Sequence, residues 1–236
     1  MSYVSRADEG VVSVSQAIPD ERAAFIRRTY AHLAGAIAAF AALEVWLLRS
    51  SLGDAMLQFI SRNQYGWLMV LGGFILIGWL ARGLAHNVDS QGAQYLGLAL
   101  YTVAEAVIFV PILYIATRYS APSVLNNALL LTGTMFAGLT FVAFTTRKDF
   151  SFLRGTLMVG GFVALGLIVG GTAFGFDLGL WFSVGMVGLA SAAILYDTSR
   201  IIHHYRPDQH VAASLELFAS VALLFWYILS IFMRRR

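Results

Sequence analysis

Seven long apolar segments constrain this sequence more than any other feature. They lie at about 29–48, 66–83, 93–116, 126–144, 153–175, 178–199 and 211–233. A helix needs roughly 17–25 apolar residues to cross the hydrocarbon core of a bilayer. Hydrocarbon cannot satisfy open backbone groups, and the alternation expected of a barrel strand is absent, so the segments predict helices. The predicted fold class is an all-α integral membrane protein, a bundle of seven transmembrane helices.

Composition and domain organisation agree with a membrane protein. The chain is 58% hydrophobic and 12% charged, whereas soluble domains are about a quarter charged. Residues 1–28 are polar and lack the apolar core of a cleaved signal peptide. They predict a flexible cytoplasmic N-terminal tail, followed by a transmembrane domain over 29–236.

Orientation is predicted from the Lys and Arg residues of the loops. Seven spans place the termini on opposite sides. Ten basic residues fall on the N-terminal side: Arg6, Arg22, Arg27, Arg28, Arg82, Arg147, Lys148, Arg154, Arg200 and Arg206. Six fall on the other side: Arg49, Arg62, Arg118, Arg234, Arg235 and Arg236. The majority predicts a cytoplasmic N-terminus and a periplasmic C-terminus in a bacterial inner membrane, although the last three arginines favour the opposite.

Spacing within the spans also predicts where helices approach closely. Gly166 and Gly170 are four residues apart, as are Gly171 and Gly175. Small residues at this spacing are typical of close helix packing in membranes. We therefore expect tight helix–helix contact at these glycines.

Several functional classes are disfavoured. The chain has no cysteine, so thiol catalysis and cysteine-ligated metals are excluded, and its single lysine, Lys148, lies in a loop, which excludes a retinal-type Schiff base. No nucleophile elbow, zinc-protease helix or phosphate loop occurs. His203, His204 and His210 have no compact metal-site spacing. We expect no enzyme activity, no cofactor and no resident metal, and a lipid bilayer rather than nucleic acid as the surroundings.

Acidic residues inside the spans are the best candidates for function, because charge is costly in a bilayer. They are Glu44, Glu105, Asp197 and Glu216. Asp197 and Glu216 lie at similar depth on consecutive helices, so they could couple and bind a proton or a cation. The alternative is that each faces water or the headgroups, with Arg200 as a partner.

The other two acids have different expected surroundings. Glu105 lies mid-span, where an internal partner such as Tyr101 or Arg82 is expected. Glu44 lies five residues before Arg49, which favours an interfacial acid that extends to the headgroups.

Two motifs carry a resemblance to a known family. They are "TTRKDFSFLRGTLMVGG" at 145–161 and "SAAILYDTSRIIH" at 191–203. With the seven spans, they resemble the Bax-inhibitor family, specifically its bacterial YccA-like branch, from about residue 20 onward. The resemblance implies a seven-helix bundle with the last helix at its centre.

The resemblance also implies site residues. Some family members have one aspartate on helix six and another on helix seven, linked to a pH-sensitive calcium or cation leak. Asp197 matches the first, and Ser220 stands at the second, where the resemblance to YccA-like members implies a serine. Glu216, one turn before Ser220, could partly replace the missing acid. Arg82 is similar to a latch arginine whose acid is absent from "LMVLGGF" (68–74), and Glu105 could supply that acid.

Two functions follow from the resemblance. The YccA-like branch binds and restrains a membrane-anchored ATP-dependent protease (FtsH), which would suit a polar tail on which a protease can initiate. The alternative is a pH-sensitive calcium or cation leak centred on Asp197, with Ca²⁺ as the permeant ion rather than a cofactor.

Overall fold

A computed structural model describes residues 13–16 and 18–234. This part of the chain forms eight helices: α1 (Pro19–Arg49), α2 (Leu52–Arg62), α3 (Gly66–Ala85), α4 (Gln91–Tyr119), α5 (Pro122–Thr146), α6 (Leu153–Phe174), α7 (Gly179–His203) and α8 (His210–Arg234). All except α2 are long and apolar enough to cross a membrane, which makes seven candidate spans. The predicted all-α membrane bundle is confirmed.

The largest departure from the predicted boundaries is at the start of the bundle. α1 begins at Pro19, so residues 19–28, predicted as part of a flexible tail, are helical. Pro19 occupies the first turn, where its missing N–H costs nothing, and Asp20 and Glu21 complement the helix dipole there. Before the helix, Val14 is fully buried and its N–H donates to the Tyr205 carbonyl at 2.8 Å. Residues 1–12 and 17 of the predicted tail lie outside the described residues.

The short helix α2 lies in the connection between the first two predicted spans, to which the sequence assigned no element. It packs against α1, α3 and α4. Gly53 lies so close to the ring of Tyr114 that a side chain would collide with it, and the Tyr114 hydroxyl donates to the Asp54 carboxylate. α2 therefore attaches to α4 through one small residue and one polar contact.

Burial is concentrated on α4 and α8. The last helix, which the resemblance places at the centre of the bundle, packs against α1, α3, α4, α5 and α7. Phe109 of α4 stacks on Phe225 and meets Trp226 edge-on, with ring centroids 5.8 and 4.9 Å apart. By contrast, α6 packs mainly on α7, and among its residues only Ala164 is buried. We call the end of the bundle with the α3–α4, α5–α6 and α7–α8 connections the near end, and the other the far end.

The backbones of α3 and α4 approach closely at Gly97. A methyl group on Gly97 would lie 2.5 Å from the Ala81 carbonyl oxygen and 2.6 Å from the Ala85 nitrogen. The expectation of tight helix–helix contact at the two predicted glycine pairs is wrong. A Cβ on Gly166 would meet nothing within 4 Å, and a Cβ on Gly170 or Gly171 would meet only the end of α6 and the α6–α7 connection, at Phe174, Phe176 and Leu178. Gly175 instead ends α6 in a left-handed conformation, with φ +73.

Candidate functional site

A cluster of polar side chains lies inside the bundle, towards its near end. We call it the polar cluster, and its members are Arg82, Tyr101, Glu105, Asp197, Glu216 and Ser220. They come from α3, α4, α7 and α8. Tight connections make α3 and α4, and likewise α7 and α8, antiparallel neighbours, so residues far apart in sequence meet at similar depth.

Asp197 and Ser220 form the contact between α7 and α8. The Ser220 Oγ donates to the Asp197 Oδ2 at 2.6 Å, and both residues are buried, with 7% and 8% of their surface exposed. A hydroxyl group can donate to a carboxylate that has little water around it. The two positions where some family members have aspartates are thus in direct contact here, with one carboxylate and one hydroxyl.

Glu216 pairs with Arg82 rather than with Asp197. The Arg82 Nε donates to the Glu216 Oε2 at 3.0 Å. The Arg82 side chain is 40% exposed and that of Glu216 is 18% exposed. The structure therefore brings Glu216 one helical turn from Ser220, as expected, but gives its charge a cationic partner of its own.

Glu105 does not take the latch position that the sequence suggested for it. The Arg82 guanidinium lies 5.0 Å above the Tyr101 ring, and its Nη2 donates to the Tyr101 hydroxyl at 3.5 Å. Glu105 is one helical turn beyond Tyr101, is 5% exposed, and its Oε2 has no hydrogen-bond partner. Glu216 is instead the acid that forms the ion pair with Arg82, because its carboxylate reaches the guanidinium from α8.

Arg200 does not form the ion pair with Asp197 or Glu216 that the alternative interpretation offered. Its guanidinium lies 4.6 Å from the Tyr205 ring centroid and 5.6 Å from that of Tyr196. It also lines a polar pocket of about 470 Å³ at the near end, with Ser151, Arg154, Tyr196 and His204. Arg200 therefore lies between Asp197 and the near-end solvent.

The two family motifs meet at this end. The Ser199 Oγ accepts from the Phe150 N–H at 2.9 Å, and the His204 Nε2 lies 3.1 Å from the Asp149 Oδ2. Hydrogen bonds from the side chain and backbone of Ser151, together with His204, hold the pKa of Asp149 at about 2. The α5–α6 connection is thereby fixed against the last residues of α7, beginning at Ser199, two residues after Asp197.

Glu44 does not extend to the headgroups as the sequence suggested. It is 4% exposed, and neither carboxylate oxygen has a hydrogen-bond partner among the described side chains and backbone. Its helix face is the one on which Leu47 packs with Ala106 and Val110 of α4. The proximity of Arg49 in the sequence was misleading, because residues 44 and 49 do not share a helix face.

The loop histidines do not converge. His203 contacts the Ser199 carbonyl, and His204 pairs with Asp149. His210 packs against His32, with ring centroids 4.9 Å apart and ring planes tilted by 60°. Over residues 13–16 and 18–234, no group of three or more His, Cys, Asp or Glu side chains is arranged to hold a metal ion. The His32–His210 contact was missed by sequence reasoning, since nothing in the sequence pairs α1 with the start of α8.

Comparison with known proteins identifies relatives. The family described as "Inhibitor of apoptosis-promoting Bax1" matches residues 22–236. An uncharacterized protein of Pseudomonas aeruginosa is 40% identical over 111 residues, which are 47% of this chain and 50% of that protein. The chain thus spans about half the length of that relative.

Two relatives have informative names. "Modulator of FtsH protease YccA" of Escherichia coli K12 is 34% identical over 149 residues, covering 63% of this chain and 68% of that protein. "Bax inhibitor 1" of Schizosaccharomyces pombe is 29% identical over 174 residues, covering 72% and 62%. No solved structure matches the chain significantly. Because the family match covers all eight helices except the first residues of α1, this integral membrane protein belongs to the Bax-inhibitor family and is similar to its bacterial YccA-like members.

Proposed function

We propose that this chain is a bacterial inner-membrane protein that binds and restrains a membrane-anchored ATP-dependent protease of the FtsH type. The observation that carries the proposal is the similarity to the YccA protein named as a modulator of that protease. A second YccA relative is named as an inner membrane protein. The excess of Lys and Arg at the near end favours a cytoplasmic location for that end, which is where the ATPase of such a protease would act.

The N-terminal segment supports this proposal. Val14 is fully buried and hydrogen-bonds to Tyr205, in the α7–α8 connection at the near end. A protease that initiates on this side must first detach the segment from the bundle. Docking of Val14 therefore opposes engagement, as expected for a protein that occupies a protease while resisting degradation.

We expect Val14→Ser to be degraded faster than the wild type. Burying a valine side chain is worth about 1.5–3 kcal/mol, so its loss should raise the undocked fraction by roughly 10- to 150-fold. The measurement is the half-life of the full chain in proteoliposomes with a purified FtsH-type protease and ATP. Ile18→Ser is the matched control, because Ile18 is apolar, nearby and 61% exposed.

Two results would count against this reading. If the wild type does not co-purify with the protease from a bilayer, the proposed function is wrong. If it co-purifies but Val14→Ser and the wild type have equal half-lives, the protease does not initiate on this segment.

A second candidate function is a pH-sensitive cation leak. The observation that favours it is the buried Asp197–Ser220 contact, beside the Arg82–Glu216 ion pair. Protonation of a carboxylate in such a contact changes how strongly α7 and α8 hold together. Asp197 lies three residues before Arg200, which lines the near-end pocket.

For this candidate we expect calcium flux into liposomes to depend on pH in the wild type, between about pH 6 and about pH 8, and to lose that dependence in Asp197→Asn. Glu216→Gln should alter the flux as well, because Arg82 loses its partner. Asp89→Asn, an exposed carboxylate in the α3–α4 connection, is the control. Wild-type flux equal to that of empty liposomes would exclude the leak and leave the protease proposal untouched.

A further inference from the structure

A cavity of about 470 Å³ opens at the far end of the bundle, away from the near-end pocket. It lies between α3, α6, α7 and α8, and aromatic side chains form much of its wall: Trp67, Phe176, Phe182, Trp226 and Tyr227. Asp177 and Arg234 stand among its lining residues and bind each other through two hydrogen bonds of 3.0 and 3.1 Å. Their charges offset each other, so the ion pair does not by itself repel a cation.

A second cavity of about 110 Å³ adjoins the first and reaches deeper. The two share Trp67, Ile168, Trp226 and Tyr227 as lining residues. The inner cavity is also lined by Glu105. The only ionisable side chains that line the two spaces within the described structure are therefore Asp177, Arg234, Tyr227 and, at the inner end, Glu105.

Glu105 lacks a cationic partner of its own. It is 5% exposed, its Oε2 accepts no hydrogen bond, and the nearby Arg82 is paired with Glu216. A buried carboxylate in apolar surroundings is costly unless a cation or hydrogen-bond donors compensate for the lost water. An occupant that brings a positive charge to this position would offset that cost.

The walls suit a cation with an apolar body. Trp67 and Trp226 stack with centroids 5.6 Å apart, and Phe182 meets Tyr227 edge-on at 5.8 Å. Aromatic faces attract ammonium groups, tryptophan most strongly. A metal ion fits poorly, since Ca²⁺ takes about 6–8 oxygen ligands and these walls are mainly carbon. The outer cavity, at about 470 Å³, falls in the range of roughly 300–1,000 Å³ that is typical of small-molecule sites, and the inner cavity adds about 110 Å³.

We propose that the two cavities form one binding site for an amphipathic organic cation, a quaternary ammonium or protonated amine that carries an aryl group. The charged group lies at Glu105, the apolar body lies beside Trp67 and Trp226, and the ligand enters from the far end. This site is separate from the Asp197–Ser220 contact and does not depend on either proposed function.

The test uses the purified full chain in detergent and benzyltrimethylammonium as the probe. Its neutral isostere, neopentylbenzene, has the same shape without the charge. Binding is followed by tryptophan fluorescence, because Trp67 and Trp226 line the site, and by the shift in melting temperature. We expect the cation to bind the wild type and Glu105→Gln to weaken it by about tenfold or more.

Glu44→Gln is the matched control, because Glu44 is also a buried carboxylate with unsatisfied oxygens, and it does not line either cavity. It should bind the cation as the wild type does. Equal binding of the cation and the neutral isostere, or equal loss in the Glu44 and Glu105 variants, would overturn the proposal.

A second measurement does not depend on the Glu105 variant folding. The chain has no cysteine, so Ser230→Cys introduces a single thiol in the outer cavity. Benzyltrimethylammonium should slow its reaction with a thiol reagent about tenfold at saturation, and should leave Ser61→Cys, an exposed far-end position outside the cavity, unaffected. Absence of protection at residue 230 would contradict the site.

Discussion

Gly97→Ala is expected to destabilise the protein by about 2–3 kcal/mol, although alanine is the better helix former. The added methyl group would lie 2.5 Å from the Ala81 oxygen and 2.6 Å from the Ala85 nitrogen. Both are backbone atoms, so no flexible side chain can move away, and α3 and α4 must separate. The propensity gain of about 1 kcal/mol is smaller than the cost of forcing packed helices apart.

The measurement for Gly97 is the apparent melting temperature in detergent, which should fall by about 5–10 °C. Gly133→Ala is the control, because Gly133 lies within α5 and a methyl group there would meet nothing within 4 Å. It should be neutral or slightly stabilising. Equal melting temperatures for the two variants would mean that α3 and α4 are not held at this separation.

Arg82→Gln is expected to lower the free energy of unfolding by about 1–3 kcal/mol. The change removes the 3.0 Å ion pair with Glu216, the contact with the Tyr101 hydroxyl and the cation over the Tyr101 ring. It also leaves Glu216, whose side chain is 18% exposed, without a cation. This loss of unfolding free energy is smaller than that expected for a fully buried ion pair, because the Arg82 side chain is 40% exposed and solvent screens its charge.

A double-mutant cycle separates the ion pair from the other contacts of Arg82. If the cost comes mainly from the unpaired Glu216, the double variant Arg82→Gln/Glu216→Gln should be about 1 kcal/mol more stable than Arg82→Gln alone. Thermal or denaturant unfolding of the four proteins gives the coupling energy. A double variant less stable than either single variant, with additive costs, would show that the side chains act independently.

The membrane spans could be predicted because the apolar length of a segment can be read from its own residues alone. Apolar length alone places α3 to α8 within a few residues of their observed bounds. The start of α1 was missed because its first turns are charged, and a low hydropathy is typical of loops. Proline and acidic residues are nevertheless favourable at the beginning of a helix. α2 was missed because eleven residues are too short for a span and their packing depends on Tyr114, far away in the sequence.

The sequence predicted which residues belong to the candidate site, but it did not predict which of them pair with each other. The sequence places Asp197, Glu216 and Ser220 near one another because a short loop joins their helices. It cannot show that Glu216 points to Arg82, since that depends on the rotation of α3 against α8. Glu44 was placed at the headgroups because Arg49 follows it in the sequence, whereas burial by α4 decides its surroundings.

The packing of α1 has a mechanical consequence. A motor that pulls this chain from its N-terminal side would load α1 first, and α1 lies along α4 and α8, the two most buried helices. The greatest resistance to extraction would therefore come at the first pull rather than the last. α6, attached mainly to α7, would offer little resistance wherever its turn came. Because the strongest resistance would come first, the first power strokes of the motor would fail to extract α1. The motor would then stay bound to a bundle that is still folded.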